Sequence, residues 1–148
     1  MALRLFEHNE KAYHAAVRMM EQYGKAAIVH PTGTGKSYIA FKLIEDNPEK
    51  VVLWLSPSEY IFKTQLESLK RNDPDFPLAN VHFYTYAKLM CCTQAQLDDI
   101  VAQKPAYIIL DEFHRAGAEC WGESTVALLK LCPEAKLLGL TAVSYTHL

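Results

Sequence analysis

The sequence predicts an α/β fold, with a mostly parallel β-sheet and helices on both of its faces. Helical and strand patterns alternate from end to end, and parallel strands need crossover connections of this kind. The strands are short, almost wholly apolar runs, as expected for strands buried on both faces. The chain has 148 residues, of which 50% are hydrophobic and 22% are charged. This composition is typical of one globular domain and excludes a disordered chain, a collagen or a coiled coil.

The first predicted helix covers residues 9–23 and carries its apolar side chains on one stripe. These side chains are Tyr13, Ala16, Val17 and Met20. Asn9 is the expected cap of this helix, and Gly24 is its expected end. An apolar strand over 26–29 follows, and after a glycine-rich turn the next helical pattern covers 36–46.

The rest of the chain repeats this alternation. Residues 51–55 form an apolar strand that ends at Ser56-Pro57-Ser58, and Ser58 is a natural cap for the next helix. That helix holds Ile61, Phe62, Leu66 and Leu69. The remaining elements are strands over 81–84, 107–110 and 135–140, and helices over 94–103 and 121–131. In such sheets ligands bind outside the carboxyl ends of the strands, so the segments after each strand are the candidate sites.

The charge and the cysteines exclude several other classes of protein. The formal net charge is -2 and the pI is about 6.3, so any contact with nucleic acid must be local. The four cysteines form no CxxC pair and lack zinc spacing. The sequence shows no signal-peptide pattern and no apolar run long enough to cross a bilayer. We therefore expect a cytoplasmic protein with no membrane partner.

The strongest local motif is His-Pro-Thr-Gly-Thr-Gly-Lys-Ser at 30–37, between a strand and a helix. This is the context of a phosphate-binding loop, in which successive N–H groups and the helix N-terminus face phosphate oxygens. Lys36 would reach the β- and γ-phosphates of ATP, and the Ser37 hydroxyl would ligate Mg²⁺. The other nucleotide-binding positions are Thr32, Gly33, Thr34 and Gly35. The full pattern expects glycine where His30 stands, and a plain glycine-rich turn is the alternative.

A pair of acids directly follows the apolar strand at 107–110. Asp111 at the strand tip can hold Mg²⁺, directly or through water, and Glu112 can act as the general base for an attacking water. Alone, the pair is equally well explained as a solvated acidic turn or a helix cap, but the upstream phosphate loop favours catalysis. His114 by itself is a loop histidine, because no second ligand lies at helical spacing for zinc.

Together these motifs resemble the first RecA-like domain of superfamily 2 helicases and translocases. Residues 30–37 look like their motif I, and Asp-Glu-Phe-His at 111–114 looks like motif II, the DEAD/DEAH box. Leu-Gly-Leu-Thr-Ala at 138–142 resembles motif III, although Val143 stands where the family usually has threonine. Two weaker matches are Leu55-Ser56-Pro57 with Gln65, similar to motif Ia, and residues 83–89, similar to the TYxxL segment of relatives of type III restriction helicase subunits.

The resemblance implies a P-loop NTPase with a RecA-like three-layer sandwich that uses ATP and Mg²⁺. It implies an N-terminal ATP-binding domain over residues 1–142, cut at motif III, with a second RecA-like domain in the full-length protein. Residues 143–148 do not look like family sequence, and we expect them to be a non-native tail. His114 would join the catalytic set by coupling the nucleotide site to motif III, where Thr141 is the coupling residue.

The same resemblance supplies candidates for nucleic-acid contact: Ser56, Pro57, Thr85 and Tyr86. An ordinary strand end explains each of them equally simply. Asn9 is the nearest match to the glutamine with which the family reads adenine, although its expected role as a helix cap needs no such function.

The sequence therefore predicts the ATP-binding half of an ATP-dependent helicase or translocase that moves along or remodels nucleic acid. The similarity to restriction helicases favours DNA over RNA. We expect the isolated chain to be a weak or inactive ATPase without its second domain. The alternative is a nucleotide-dependent P-loop switch or binding module that does no unwinding. A P-loop kinase is disfavoured by the adjacent Asp111-Glu112 pair and by the lack of an evident acceptor-binding lid.

Overall fold

The structure is a computed structural model, and it describes residues 7–29, 36–112 and 121–141. The helices are α1 Glu7–Tyr23, α2 Lys36–Asp46, α3 Glu59–Asn72, α4 Tyr86–Met90, α5 Gln94–Ala102 and α6 Trp121–Leu131. The strands are β1 Lys25–Val29, β2 Val52–Ser56, β3 Val81–Thr85, β4 Tyr107–Asp111 and β5 Lys136–Thr141. Among these helices, none is both long enough and apolar enough to cross a membrane.

The strands form one sheet in the order β1-β5-β4-β2-β3, and every pairing is parallel. The prediction of an α/β fold with a parallel sheet is therefore confirmed. Parallel strands present all their carboxyl ends at one edge, which is called the carboxyl edge below. The residues that end the strands there are Val29, Ser56, Thr85, Asp111 and Thr141. The sheet thus gathers the segments that the sequence analysis selected.

Two apolar clusters cover the two faces of the sheet. Trp54 and Ile109 face the first cluster, which α1, α2 and α3 complete. Leu53 and Ile108 face the second cluster, which α4, α5 and α6 complete. This alternation along neighbouring strands produces the predicted three layers, since successive side chains of a strand point to opposite faces.

The ends of two helices follow local signals that the sequence analysis identified. Gly24 has a φ of 78°, and its N–H donates to the Met20 carbonyl at 2.8 Å, which ends α1 in the left-handed conformation that glycine favours. Ser58 caps α3, where its hydroxyl accepts from the Ile61 N–H at 3.3 Å. Both predictions are confirmed.

Two features of the helices differ from the sequence prediction. Asn9 is not a helix cap, because α1 already begins at Glu7 and Asn9 lies in its first turn with 1% of its surface exposed. Asparagine occurs both as a helix cap and as a buried residue within a helix, so the residue type alone does not distinguish these two roles. The short helix α4 was not predicted, although Thr85 caps it by accepting from the Lys88 N–H at 3.0 Å.

Candidate nucleotide site

The structure describes the residues that precede and follow the phosphate-loop candidate. The segment 30–35, which includes Thr32, Gly33, Thr34 and Gly35, lies outside the described residues, as do the Lys36 side chain and all of His114. β1 ends at Val29 and α2 begins at Lys36, so a strand precedes the motif and a helix follows it, which is the context that a phosphate loop needs. The N-terminus of α2 therefore follows the carboxyl end of β1, where its dipole favours bound anions.

Ser37 is the second residue of α2, and it is half-buried. The helix behind it is fixed firmly, since Ile39, Ala40 and Phe41 are fully buried against the first cluster. A hydroxyl in the first turn of a rigid helix is a suitable hard-oxygen ligand for Mg²⁺. The structure thus keeps Ser37 as a candidate metal ligand.

Asp111 is the last residue of β4 and is buried, with 1% of its surface exposed. Gln65 of α3 donates from Nε2 to the Asp111 Oδ2 at 3.0 Å. The Tyr86 hydroxyl donates to the Asp111 backbone carbonyl at 2.9 Å. A buried carboxylate is costly without such donors, and these two bonds fix both its side chain and its backbone. Carboxylate and hydroxyl oxygens are the ligands that Mg²⁺ prefers, so Asp111 and Ser37 fit that metal.

Glu112 directly follows Asp111 and has a φ of 50°, in the left-handed region that residues other than glycine avoid. This conformation costs about 1–2 kcal/mol for an L-residue with a Cβ. Such strain persists where the surroundings impose it, and it is concentrated at functional sites. Glu112 is half-buried, so a water molecule bound at the carboxyl edge could contact it.

The nucleic-acid roles of Ser56, Pro57, Thr85 and Tyr86 stay predictions. Ser56 and Tyr86 are 0% exposed, so their side chains are covered in this structure. Ser56 is covered because β2 is buried on both of its faces, and Tyr86, the first residue of α4, packs into the second cluster. Burial raises the pKa of the Tyr86 hydroxyl above its usual value, and the negative charges of Asp111 and Glu112 act in the same direction. Pro57 and Thr85 are half-buried and remain accessible in part.

Ser56 lies beside Asp111 on the same face of the sheet. Leu55 of β2 pairs with Leu110 of β4, so the next residues of the two strands are neighbours. The Ser56 hydroxyl has no hydrogen-bond partner in the part of the chain that the structure describes. A buried hydroxyl of this kind costs free energy, which a bound water or ligand would recover.

Gln65 is the residue whose role the sequence analysis missed. Its only signal was the similarity of its position to motif Ia, which indicated nucleic-acid contact rather than contact with an acid. The hydrogen bond joins residues 46 positions apart, and no local pattern predicts such a contact. The predicted adenine contact of Asn9 stays a prediction, as does the coupling role of Thr141, whose side chain is not described.

Comparison with known proteins agrees with this geometry. Residues 2–76 and 55–145 match the family model of the type III restriction enzyme, res subunit. The Sulfolobus solfataricus SWI2/SNF2 ATPase core in complex with dsDNA is similar in structure, with a TM-score of 0.69 at 15% identity, over 97% of this chain and 33% of that one. No curated protein matches the sequence significantly.

A second solved structure is similar over most of the chain. Domain III of the Thermotoga maritima replication initiation protein DnaA has a TM-score of 0.52 at 15% identity, over 96% of this chain and 55% of that one. Both structural neighbours support the P-loop NTPase fold and, at this identity, the fold alone. The family model covers nearly all of the sequence, including both nucleotide motifs. The chain therefore belongs to the family of the type III restriction enzyme res subunit, as a RecA-like N-terminal domain of the superfamily 2 helicase type.

Proposed function

We propose that this chain is the ATP-binding half of a helicase or translocase that hydrolyses ATP to move along or remodel DNA. The observation that carries the proposal is Asp111, a buried carboxylate at the tip of β4 that Gln65 holds in place. Burial of a carboxylate costs several kcal/mol unless donors or a cation compensate for it. Its position at the carboxyl edge of the sheet, to which β1 also leads the glycine-rich segment, supports a role in cation and nucleotide binding.

Each candidate residue has a specific role in the proposed reaction. The N–H groups of 32–35 and the Lys36 ammonium hold the phosphates, helped by the N-terminus of α2. Ser37 and Asp111 would hold Mg²⁺, which when bound neutralises charge on the β- and γ-phosphates. Glu112 orients the attacking water and accepts its proton as the bond to the γ-phosphorus forms. ADP and inorganic phosphate are the products.

The proposal includes a partner domain in the full-length protein. Residues 1–142 would form the first RecA-like domain, and His114 and Thr141 would transmit the nucleotide state to a second RecA-like domain. An arginine supplied across such a cleft is worth ~10³–10⁵ in rate in related phosphoryl-transfer enzymes. The isolated chain should therefore bind ATP but hydrolyse it slowly.

Two comparisons support DNA as the preferred track. The SWI2/SNF2 ATPase core was solved in complex with dsDNA, and the matched family model is that of a restriction-enzyme subunit. Pro57 and Thr85 are the predicted contact positions that remain at the surface. A cytoplasmic location stays a prediction from the sequence.

The test is the ATPase rate of the full-length protein with single-stranded DNA, duplex DNA or RNA added. We expect stimulation by nucleic acid, with DNA the better activator, and loss of turnover with retained ATP binding in Glu112→Gln. An ATPase that no nucleic acid stimulates would contradict the proposal and favour a nucleotide-dependent P-loop switch.

A further inference from the structure

We infer that a pocket at the opposite edge of the sheet from the candidate nucleotide site binds a small amphipathic anion, that is, an apolar molecule that carries an acidic group. The pocket lies where the parallel strands β2, β4 and β5 begin, and it encloses about 490 Å³. It is called the amino-edge pocket below. The inference goes beyond the proposed function and does not depend on it.

Backbone hydrogen bonds fix the walls of the amino-edge pocket. The Ala106 N–H donates to the Val51 carbonyl at 2.8 Å, and the Lys136 N–H donates to the Ala106 carbonyl at 2.9 Å, so the starts of the three strands are joined. The Ala135 N–H donates to the Cys132 carbonyl at 3.1 Å and closes the turn between α6 and β5. The pocket is therefore formed without a ligand, and its volume lies within the range of ~300–1,000 Å³ that small-molecule sites have.

The interior of the pocket is apolar. Cys132 and Ala135 line it, and both are buried in the second cluster. Burial raises the pKa of the Cys132 thiol, so this part of the pocket carries no negative charge at neutral pH. Leu131, the last residue of α6, also lines the pocket but is 45% exposed. The apolar part of a ligand would cover this leucine, and removal of such surface from water is favourable.

Three lysines line the same pocket: Lys50, Lys104 and Lys136. None of them takes part in an ion pair found among the described residues. Glu134 is the single acid among the described lining residues, so the pocket has a net positive charge on a chain whose net charge is -2. This local charge favours an anionic occupant, and lysine ammonium groups form charge-assisted hydrogen bonds to carboxylates and phosphates.

The backbone of Lys104 gives an independent reason to assign it a role in binding. Lys104 follows the end of α5 and has a φ of 52°, a conformation close to that of Gly24, which ends α1 with a φ of 78°. Helices commonly end with glycine in this left-handed region, where a residue with a Cβ is strained. Such strain is concentrated at functional sites. Folding alone favours glycine here, so the lysine side chain has a use in the pocket that offsets the strain.

The amino-edge pocket is distinct from the candidate nucleotide site. Tyr107 lines the pocket and begins β4, and Asp111 ends the same strand. Four steps along a strand span about 13 Å, so a ligand in the pocket and ATP at the carboxyl edge would not touch. An amphipathic anion fits the pocket better than ATP, because its apolar part would cover Leu131 while its acidic group lies among the lysines.

The test uses the 148-residue chain and anilinonaphthalene sulfonate, an apolar anionic dye whose fluorescence rises when it binds. The variants are Lys104→Gly, Lys104→Gln and Leu131→Gln. The matched controls are Lys70→Gln, an exposed lysine of α3, and Val126→Gln, a valine of α6 that is 49% exposed. The competitors are decanoate and decyl phosphate, their uncharged counterpart decanol, the acidic peptide hexaglutamate, and ATP.

We expect each of the three variants to weaken dye binding about 3- to 10-fold, between the effects typical of exposed and of buried charge pairs. Both controls should bind the dye like the wild type. Lys104→Gly should also raise the midpoint of urea unfolding, because it relieves the backbone strain. A lysine that served the fold alone would not combine greater stability with weaker binding. Decanoate and decyl phosphate should displace the dye, whereas decanol and ATP should not.

Several results would overturn the inference. Equal dye affinity of Lys104→Gln and Lys70→Gln would remove the role of the lysine, and displacement by decanol as readily as by decanoate would remove the need for an anion. Displacement by hexaglutamate but not by decanoate would replace the small molecule with an acidic protein segment. Displacement by ATP would place the dye at the nucleotide site instead. The proposed function stands under each of these results, since its own test is the ATPase rate with nucleic acid.

Discussion

The Gln65 side chain donates from Nε2 to the Asp111 Oδ2 at 3.0 Å, and this bond joins α3 to the tip of β4. α3 begins directly after Ser58, at the carboxyl edge of β2, so the bond connects a candidate nucleic-acid segment to the candidate metal ligand. Tyr86 makes a second connection, from the end of β3 to the Asp111 carbonyl. Any movement of either segment would therefore reach Asp111 through a single hydrogen bond.

Replacing Gln65 tests the first of these connections. Gln65→Leu keeps much of the side-chain volume but removes the donor, so the Asp111 carboxylate should be held less firmly. We expect about 1.5–3 kcal/mol less stability, the usual value of a hydrogen bond to a charged group, and a higher Mg²⁺ concentration for half-maximal ATP binding. Urea unfolding and magnesium titration measure the two effects. Glu67→Gln, an exposed change on the same helix, is the control and should alter neither.

Tyr86→Phe tests the second connection. The change removes one hydroxyl and leaves the buried Asp111 carbonyl without that donor, which should cost about 1–3 kcal/mol of unfolding free energy. Tyr60→Phe removes the same atom from an exposed ring and should cost less than about 0.5 kcal/mol. Equal effects of the two changes in urea unfolding would show that the buried bond contributes nothing to stability.

Alkaline pH should destabilise the fold through two buried tyrosines. Burial raises the pKa of Tyr86, and burial together with the hydrogen bond to Asp46 raises the pKa of Tyr13. The folded state therefore keeps these protons more tightly than the unfolded state, whose tyrosines ionise near pH ~10. Stability should be complete below that pH and fall as the pH rises above it, by up to about 1.4 kcal/mol per pH unit for each tyrosine.

Urea unfolding at a series of pH values measures this fall. The double variant Tyr13→Phe with Tyr86→Phe should show a shallower decline above pH ~10 than the wild type. A wild-type curve that is flat in this range, or a double variant that declines just as steeply, would refute the assignment.

Because the backbone at Glu112 is left-handed, a glycine variant there should be more stable than an alanine variant, the reverse of the order expected within a helix. Both Glu112→Gly and Glu112→Ala remove the carboxylate, so their difference reports the backbone alone. At a φ of 50° we expect glycine to be the more stable of the two by about 1 kcal/mol. At the exposed helical residue Glu67, alanine should instead be more stable by about the same amount. The same order at both positions would show that Glu112 is not strained.

The sequence predicted most of the fold because its signals are local and periodic. The helix predicted over 36–46 is α2, and the short apolar runs are parallel strands whose ends differ from the prediction by at most one residue each. The prediction that Asn9 caps α1 was wrong because residue types that cap helices also occur within helices, where their side chains pack against a neighbour. α4 was missed because a helix of five residues is too short to show periodicity.

The candidate site was only partly predictable. Asp111 and Glu112 follow from an apolar strand that ends in acids, a pattern readable from adjacent residues. The inward orientation of Ser56 and Tyr86 depends on strand register and helix packing, and neither can be read from a strand end alone. The contact of Gln65 with Asp111 depends on how α3 packs against β4, which only the tertiary structure determines.

The central claim is that Asp111 serves a Mg²⁺-dependent ATP site, and the affinity of this chain for ATP with and without Mg²⁺ tests it most directly. Calorimetric titration of the wild type should show tighter binding when Mg²⁺ is present. Asp111→Asn should bind ATP with the metal-free affinity in both conditions, provided that it unfolds in urea as cooperatively as the wild type. Wild-type binding that ignores Mg²⁺, or a folded Asp111→Asn variant that keeps the full Mg²⁺ effect, would contradict the claim.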